Sequence, residues 1–315
     1  MKEKIKKLLF EYSRNSRITT KELGKLIRTS QQSASYLKKQ LFSKRIIQPT
    51  TVVDAVKLSL INVLVGFNFL KPDYETKREL ISELKETDSI IQIEEGKEGM
   101  DLLVEYCVPN LSAFNKINIE IVTKFEKRLR SVFVLPIIVN HEYSRNYLVR
   151  KVDATDLVLS GDRTLRKLSD NEHRILMELT KYPYKLLIDI SESLKIPVKT
   201  VISLKKSLEK KFIIKGYSSI IDHQKLGINR QIIFLRFTPE AMKEIENFHV
   251  FSNNNKNIIR FAKIIGEYQI MVVVESLKDI ETIKDIRSNF PIEKYLIIKS
   301  ERVHKKKYLP ENKEL

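Results

Sequence analysis

The 315-residue sequence is poor in the residues that build covalent and metal-bound frameworks. It has one cysteine, Cys107, which excludes an intrachain disulfide and any cysteine-based zinc site. It has no tryptophan and only 8 glycines, few for backbone that must approach a ligand closely. The longest nearly apolar run, Leu60–Leu70, is about half of what a membrane span needs. The basic, amphipathic start is not a secretory signal. These absences predict a cytoplasmic protein without a membrane span.

Positive charge is in excess, and its position is informative. Lys+Arg number 57 against 40 Asp+Glu, a net charge of +17. Counted along the chain, +10 falls on residues 1–50, −2 on 51–150, +6 on 151–230 and +3 on 231–315. A basic block suits a polyanion, because neutralised phosphates release counterions. A uniformly lysine-rich surface is the alternative, but the acidic balance of 51–150 argues against it.

The chain repeats itself after about 167 residues. At this offset Leu8-Leu9 falls on Ile175-Leu176, and the apolar positions of the next 40 residues follow in order. One residue later in register, Val52-Val53-Asp54 falls on Ile220-Ile221-Asp222. An ordered series of this length indicates an internal duplication.

Each copy opens with the pattern of three short helices. Thr19-x-x-Glu22 and Ser169-x-x-Glu172 are capping boxes, in which side chains satisfy the free N–H groups of a first turn. Ser30 and Pro197 stand before the third helices. These helices are predicted at Gln31–Lys44 and Val198–Lys210, and the strands that follow them at Ile46–Asp54 and Phe212–Asp222. The pattern is that of a winged helix-turn-helix.

A second pattern follows in each copy, and its β-α-β-β-α-β order is that of a ferredoxin-like fold. The last helix and strand of the first copy are predicted at 110–130 and 132–139. In the second copy Ser276-x-x-Asp279 is predicted to cap the last helix, and the last strand to run over 292–299. The predicted fold class is therefore α+β, with two winged helix-turn-helix modules and two ferredoxin-like domains in tandem. The predicted domains are the modules 1–50 and 168–222, the ferredoxin-like domains 51–141 and 223–315, and a linker at 142–167.

Three stretches of the second copy carry a resemblance to a known family. They are LSDNEHRILMELTKYP (168–183), IPVKTVISLKKSLEKKFIIKGYSSIIDHQKLG (196–227) and RFAKIIGEYQIMVVVES (260–276). They resemble the helix-turn-helix, connecting strand and central hairpin of the Lrp/AsnC (feast/famine) transcription regulators. The first copy is similar but more divergent, with EEGKEGMDLLVEY (94–106) at the hairpin. The resemblance implies a tandem, sequence-specific DNA-binding regulator.

The chain departs from the family pattern at its turns. The family often has glycine before the recognition helix, where this chain reads Arg28-Thr29-Ser30 and Lys195-Ile196-Pro197. It also has glycine before the wing, where this chain has Arg45 and Phe212.

The resemblance places DNA contact on the third helix of each module. Such a helix enters the major groove with the outward residues of its N-terminal part, where glutamine pairs with adenine and lysine reaches phosphate or guanine. The predicted DNA-binding residues are Ser30, Gln31, Gln32, Ser33, Ser35, Tyr36, Lys38 and Lys39, and Lys199, Thr200, Ser203, Lys205 and Lys206. A solvated polar helix face is the alternative. Because the two sets differ, the DNA site is predicted to be asymmetric.

The sheet domains are predicted to pair with each other and to hold any effector. The family dimerises through these domains, so the chain is predicted to form an intramolecular pseudo-dimer or a homodimer. The family places a Gly-x-x-Asp element in the central hairpin, and the matching residues here are Gly99, Asp101, Gly266 and Gln269. These are the predicted residues for an amino-acid-like effector. The scarcity of glycine argues against such sensing.

No catalytic arrangement stands out. The sequence has neither G-x-x-x-x-G-K-[S/T] nor G-x-G-x-x-G, and its 5 histidines are scattered without metal-ligand spacing. We therefore predict no catalysis, no cofactor and no metal. One alternative is a siroheme-decarboxylase-like enzyme, since that family shares this architecture, although tryptophan-containing segments of that family are absent here. A protein that coats DNA without reading sequence, or a scaffold, is the other.

Overall fold

The computed structural model describes residues 1–70, 74–150, 153, 155–161, 164–279 and 281–311. They have the α+β fold that the sequence predicts, with two winged helix-turn-helix modules and two ferredoxin-like folds in tandem. Contacts group the chain into two units. Unit 1 is made of the described residues of 1–59, 162–222 and 307–315, and unit 2 of those of 60–161 and 223–306. The four domains and the linker at 142–167 remain a prediction, and part of that linker lies outside the described residues.

The described residues of the first copy form five α-helices and six strands. They are α1 Glu3–Arg14, α2 Thr20–Leu26, α3 Gln31–Ser43, β1 Ile47–Val53, β2 Ile61–Phe69, α4 Tyr74–Glu86, β3 Ile90–Glu98, β4 Leu102–Val108, α5 Leu111–Lys124, β5 Leu129–Tyr143 and β6 Asp156–Leu159. The helix predicted over 110–130 ends earlier, at Lys124, because residues from Leu129 onward pair with β2. Tertiary pairing overrides the local helical pattern there.

The second copy repeats this order. Its elements are α6 Asp170–Lys181, α7 Leu187–Leu194, α8 Val198–Lys210, β7 Ile214–Ile221, β8 Asn229–Phe237, α9 Ile245–Asn254, β9 Ile258–Ile264, β10 Ile270–Ser276, α10 Thr282–Asn289 and β11 Ile292–Lys306. The cap predicted at Ser276 is wrong, since Ser276 ends β10 and α10 begins only at Thr282. Both predicted capping boxes are formed, at α2 and α6.

In unit 1 the two modules exchange their strands. β1 and β7 pair antiparallel, with Thr50 opposite Ser218 and Thr51 opposite Tyr217. Because Thr50 and Tyr217 are equivalent in the repeat, a pseudo-two-fold axis passes between these two pairs. Each strand also contacts the first helix of the other module, since Ser218 Oγ donates to the carbonyl of Ser13 at 2.6 Å. The two modules therefore form one body.

Four non-glycine residues have a left-handed backbone conformation at turns of the two modules. Arg28 and Lys195 have φ of 55° and 54°, and Arg45 and Phe212 have φ of 52° and 56°. These are the places where the family resemblance expects glycine, and each pair is separated by the repeat length. A side chain in this region costs roughly 1–2 kcal/mol. The turns thus adopt the same conformation in both copies without glycine, and both copies have the same backbone strain there.

In unit 2 the strands of both copies form one sheet in the order β2-β4-β3-β11-β8-β10-β9-β5-β6. β2 also pairs with β5, so the first eight strands of this order form a closed circuit. β5 pairs first with β2 and then with β9, and β11 first with β8 and then with β3. Both strands are longer than predicted for this reason. Backbone hydrogen bonds therefore join the two ferredoxin-like halves.

The central strands are apolar on both faces because both faces are buried. On β8, Ile232 and Phe234 pack between the two halves, while Ile233 and Leu235 pack in the core beneath α9 and α10. β10 alternates in the same way, with Met271 and Val273 between the halves. The inner layer thus lies between halves that are each covered by their own helices.

Toward the ends of the strands, this inner layer becomes charged. Arg230 donates to Glu94 at 2.6 Å and to Glu275 at 2.7 Å, and all three side chains are buried. Arg145 and Tyr147 also donate to Glu275, at 3.0 and 2.8 Å. Burial alone raises the pKa of Glu275, but Arg145 and Arg230 lower it to about 2. The network holds ionised groups in the protein interior.

Candidate nucleic-acid interface

Helix α3 presents the polar face that the sequence predicts. Ser30 caps it, with its Oγ accepting the N–H of Ser33 at 3.2 Å, and Ala34 and Leu41 are buried in the module. Because Ala34 and Leu41 face the interior of the module, the opposite face of α3 is exposed. The exposed residues at the N-terminal part of α3 are Gln31, Gln32, Ser33, Tyr36 and Lys39. Tyr36 is 67% exposed, which is unusual for an aromatic side chain in a folded module.

Lys38 and Ser35, predicted with this set, are only half-exposed. The Lys38 ammonium lies 4.8 Å from the ring centroid of Tyr12, and burial lowers the pKa of Lys38. Both residues line a groove of about 620 Å³ beside α3. Lys39, one position on, is therefore the exposed lysine of this stretch.

The groove is closed on its far side by the segment that joins α6 to α7. Arg17 donates to the carbonyls of Pro183 and Lys185 at 2.8 and 2.9 Å. The rings of Phe42 and Tyr184 meet edge to face with centroids 6.0 Å apart. These contacts join the C-terminal part of α3 and the segment between α1 and α2 to the second module.

Helix α8 carries a weaker polar face. Lys199, Ser203 and Lys206 are exposed and Thr200 is half-exposed. Lys205 is paired within the module, 2.6 Å from Glu209 and 5.0 Å from the ring of Tyr217. The structure therefore brings together three exposed polar residues of the predicted second set, where α3 offers five.

Asp101 and Gln269, predicted for effector binding, have equivalent structural partners. Asp101 Oδ2 accepts the backbone N–H of Phe69 at 2.7 Å, and Gln269 Oε1 accepts that of Phe237 at 3.0 Å. Phe69 and Phe237 end the equivalent strands β2 and β8. Each side chain thus accepts a hydrogen bond from the backbone N–H of the last residue of a strand. Effector binding by either remains a prediction.

Gly99 and Gly266 are explained by close packing. Gly99 has φ of 89°, and a Cβ there would lie 2.0 Å from the carbonyl oxygen of Ile297. Gly266 has φ of 137°, and its Cβ would lie 2.6 Å from Leu135 Cδ2. Each glycine lets a hairpin turn approach a neighbouring strand. The packing requires glycine there without any ligand.

We expect Gly99→Ala to lower the free energy of unfolding by about 2–3 kcal/mol, because the left-handed backbone and the clash with Ile297 backbone add. Urea denaturation followed by circular dichroism measures this. Gly216→Ala is the matched control, since a Cβ at Gly216 meets nothing within 4 Å. Equal effects of the two substitutions would refute the packing explanation.

Two sets of residues that the sequence did not single out also converge. The charged network of unit 2 gives a weak sequence signal, a lone Glu275 near the end of an otherwise apolar strand. His141 and His249, which the sequence treats as scattered, have ring centroids 4.2 Å apart. The two histidines are far apart in the sequence, so a search for metal-ligand spacing does not find them.

Among the described residues, no helix is long and apolar enough to cross a membrane. No protein-family model matches the chain, and no curated protein matches it significantly.

Solved structures give the remaining comparison. The crystal structure of the siroheme decarboxylase NirDL covers 98% of this chain and 94% of its own, with 14% identity and a TM-score of 0.58. The same enzyme in complex with an iron-uroporphyrin III analogue gives 13% identity, the same coverage and a TM-score of 0.59. An AsnC family transcriptional regulator from Agrobacterium tumefaciens aligns with 42% of this chain and 86% of its own, at 16% identity and a TM-score of 0.36.

These comparisons correct one prediction and limit another. They contradict the prediction that the chain is not an enzyme, because an enzyme has the fold that spans the whole chain. The regulator structure aligns with 42% of the chain, and a tandem regulator is therefore a proposal. At 14% identity the likeness to NirDL concerns architecture. The chain therefore has a fold in common with a siroheme decarboxylase structure over nearly its full length.

Proposed function

We propose that the chain binds double-stranded DNA and reads its sequence, as a transcription regulator of Lrp/AsnC type. The observation that carries the proposal is the face of α3, where two glutamines, a serine, a tyrosine and a lysine are exposed together. Glutamine amides match the donor and acceptor pattern of adenine in the major groove, and lysine supplies salt-sensitive affinity for phosphate. The face lies in the block of the chain with the largest positive charge.

The pseudo-two-fold axis of unit 1 supports a second part of the proposal. It relates α3 to α8, and the two helices expose different side chains. Helix α3 then reads bases, while α8 contacts mainly the backbone through Lys199 and Lys206. The DNA site is accordingly asymmetric. The paired sheet domains are proposed to set the geometry of the reading helices.

Selection of bound fragments from a random duplex pool, repeated at two salt concentrations, tests the proposal. An enriched asymmetric motif that persists at higher salt is the expected result. Salt-sensitive binding without a motif would indicate a protein that coats DNA, and no binding at either salt would contradict the proposal.

We expect Gln32→Ala to relax the preference at one base pair, at a cost of about 1–3 kcal/mol for the preferred site and little for other duplexes. Competition binding with the selected motif and its single-base variants measures this. Gln224→Ala is the matched control, because Gln224 is exposed but lies in unit 2. A uniform loss over all sequences would contradict base reading by Gln32.

The second candidate is an enzyme that acts on a tetrapyrrole. It is favoured by the match of the whole chain to the fold of NirDL, which was also solved with an iron-uroporphyrin III analogue. Titration with iron-uroporphyrin III tests this candidate. A saturable Soret shift at one equivalent supports it, and an unchanged spectrum removes it.

A further inference from the structure

Three potential metal ligands converge in unit 2. His141 lies near the end of β5, Asp156 begins β6, and His249 lies on α9. His141 Nδ1 is 2.9 Å from both carboxylate oxygens of Asp156, and His249 Nε2 is 3.4 Å from Asp156 Oδ2. One ligand atom from each residue lies within 4.8 Å of the other two.

We propose that His141, Asp156 and His249 bind a divalent transition metal ion, with Zn²⁺ as the reference ion. Metal–ligand bonds of about 2.0–2.1 Å place neighbouring ligand atoms roughly 2.9 Å apart in an octahedral shell and roughly 3.3 Å apart in a tetrahedral one. The distances to Asp156 Oδ2, 2.9 Å from His141 Nδ1 and 3.4 Å from His249 Nε2, span this range, so one ion could reach all three side chains. Two imidazoles and one carboxylate are a donor set that such ions prefer, and they leave a position for water.

The state of His249 is the second observation. Its Nε2 atom is buried and makes no hydrogen bond, although Asp156 Oδ2 is near. A buried polar atom without a partner is costly in a folded protein. A metal ion bound between Nε2 and the Asp156 carboxylate removes that cost.

Aromatic rings pack against the two imidazoles. The Phe261 ring packs against both imidazoles, with centroids 5.5 Å from His141 and 5.3 Å from His249. Tyr143 lies on the same strand as His141, with its ring centroid 6.2 Å from that of His141. Aromatic side chains thus pack around the two histidine ligands.

The other half of unit 2 contains a similar cluster that is already neutralised. His304, on β11, lies 2.6 Å from Glu95, and the ammonium of Lys77 contacts the same carboxylate. That cluster offers one imidazole, and its carboxylate is neutralised by a built-in cation. It therefore supplies a matched control within the same protein.

The test uses the full chain, freed of metal by dialysis against EDTA. Isothermal titration with ZnCl₂ is expected to show one site, and CoCl₂ to give visible absorption bands of a His- and Asp-ligated ion. His249→Gln is expected to weaken Zn²⁺ binding at least about 100-fold and to remove the cobalt bands, because a direct ligand is lost. His304→Gln is expected to bind both ions like the unaltered chain.

Circular dichroism of His249→Gln, compared with the unaltered chain, establishes that the variant folds. A second variant, Asp156→Asn, keeps the size of the side chain and removes its charge, and it is expected to weaken binding as well. Absence of Zn²⁺ binding to the unaltered chain would overturn the proposal. Binding that survives in His249→Gln and Asp156→Asn, or that is lost in His304→Gln, would overturn it equally.

Discussion

Arg230→Leu is expected to lower the free energy of unfolding of unit 2 by about 3–5 kcal/mol, since it removes one partner of a buried ionic network and leaves charge uncompensated. Glu94 loses the guanidinium that donates to both of its oxygens, while Glu275 keeps Arg145 and Tyr147. Hydrogen exchange of the β8 and β10 peptides, analysed by mass spectrometry at pH 7, measures the loss within unit 2.

The dependence on pH separates this explanation from a simple packing defect. In the unaltered chain the pKa values of Glu94 and Glu275 are lowered on folding, that of Glu275 to about 2. Their contribution to stability is therefore complete above the unfolded pKa of 4.5 and is lost as the pH falls toward 2. In Arg230→Leu the buried Glu94 is expected to have a raised pKa. Protonation then favours the folded state, and the gap between variant and unaltered chain narrows as the pH falls.

Two further variants complete the test. The double variant Arg230→Leu with Glu94→Leu is expected to recover much of the loss, because removing both partners leaves no unpaired charge between them. Lys299→Ala breaks the exposed pair with Glu98 and is expected to leave stability unchanged. A gap that stays constant between pH 7 and pH 4, with no recovery in the double variant, would contradict the ionic explanation.

Lys39→Glu is expected to weaken binding to all duplexes about 100-fold at low salt. It places a negative charge on the exposed face of α3, where the proposed function puts the phosphate backbone, and like charges at such an interface cost several kcal/mol. The slope of log affinity against log salt should also become shallower, since one phosphate contact is lost. Fluorescence anisotropy with a labelled duplex over a range of salt concentrations measures both quantities.

Lys97→Glu is the control for net charge. It changes the total by the same amount, but Lys97 is an exposed residue of β3 in unit 2. Lys206→Glu makes the corresponding change on α8 and measures the share of the second module. An equal loss in Lys39→Glu and Lys97→Glu would mean that only net charge matters, and would contradict the assignment of α3 as the reading helix.

The helices of unit 1 could be predicted from sequence because their signals are local. Capping boxes at Thr19 and Ser169 fix two starts, and the 167-residue repeat places the left-handed turns of one module on those of the other. The polar face of α3 follows from the same periodicity. Lys38 is only half-exposed, because its contact with Tyr12 depends on how α3 packs against α1, which periodicity does not show.

The inner layer of unit 2 could not be predicted in the same way. The lengths of β5 and β11 depend on pairing with the other half of the repeat, at a separation that local patterns do not encode. The partners of Arg230 come from strands far apart in sequence, and so do the ligands of the proposed metal site. These features arise from topology, and one sequence without its fold gives no spacing rule for them.

The strands β5 and β11 each pair with strands of both halves of unit 2, and this has a consequence for assembly. Halves joined in one chain meet at a local concentration that dilution does not change, so their pairing is independent of how much protein a cell contains. A substitution in one half is also not repeated in the other. The cluster at Glu95 contains a lysine and the cluster at Asp156 a second histidine, so the two halves already differ in their charged residues.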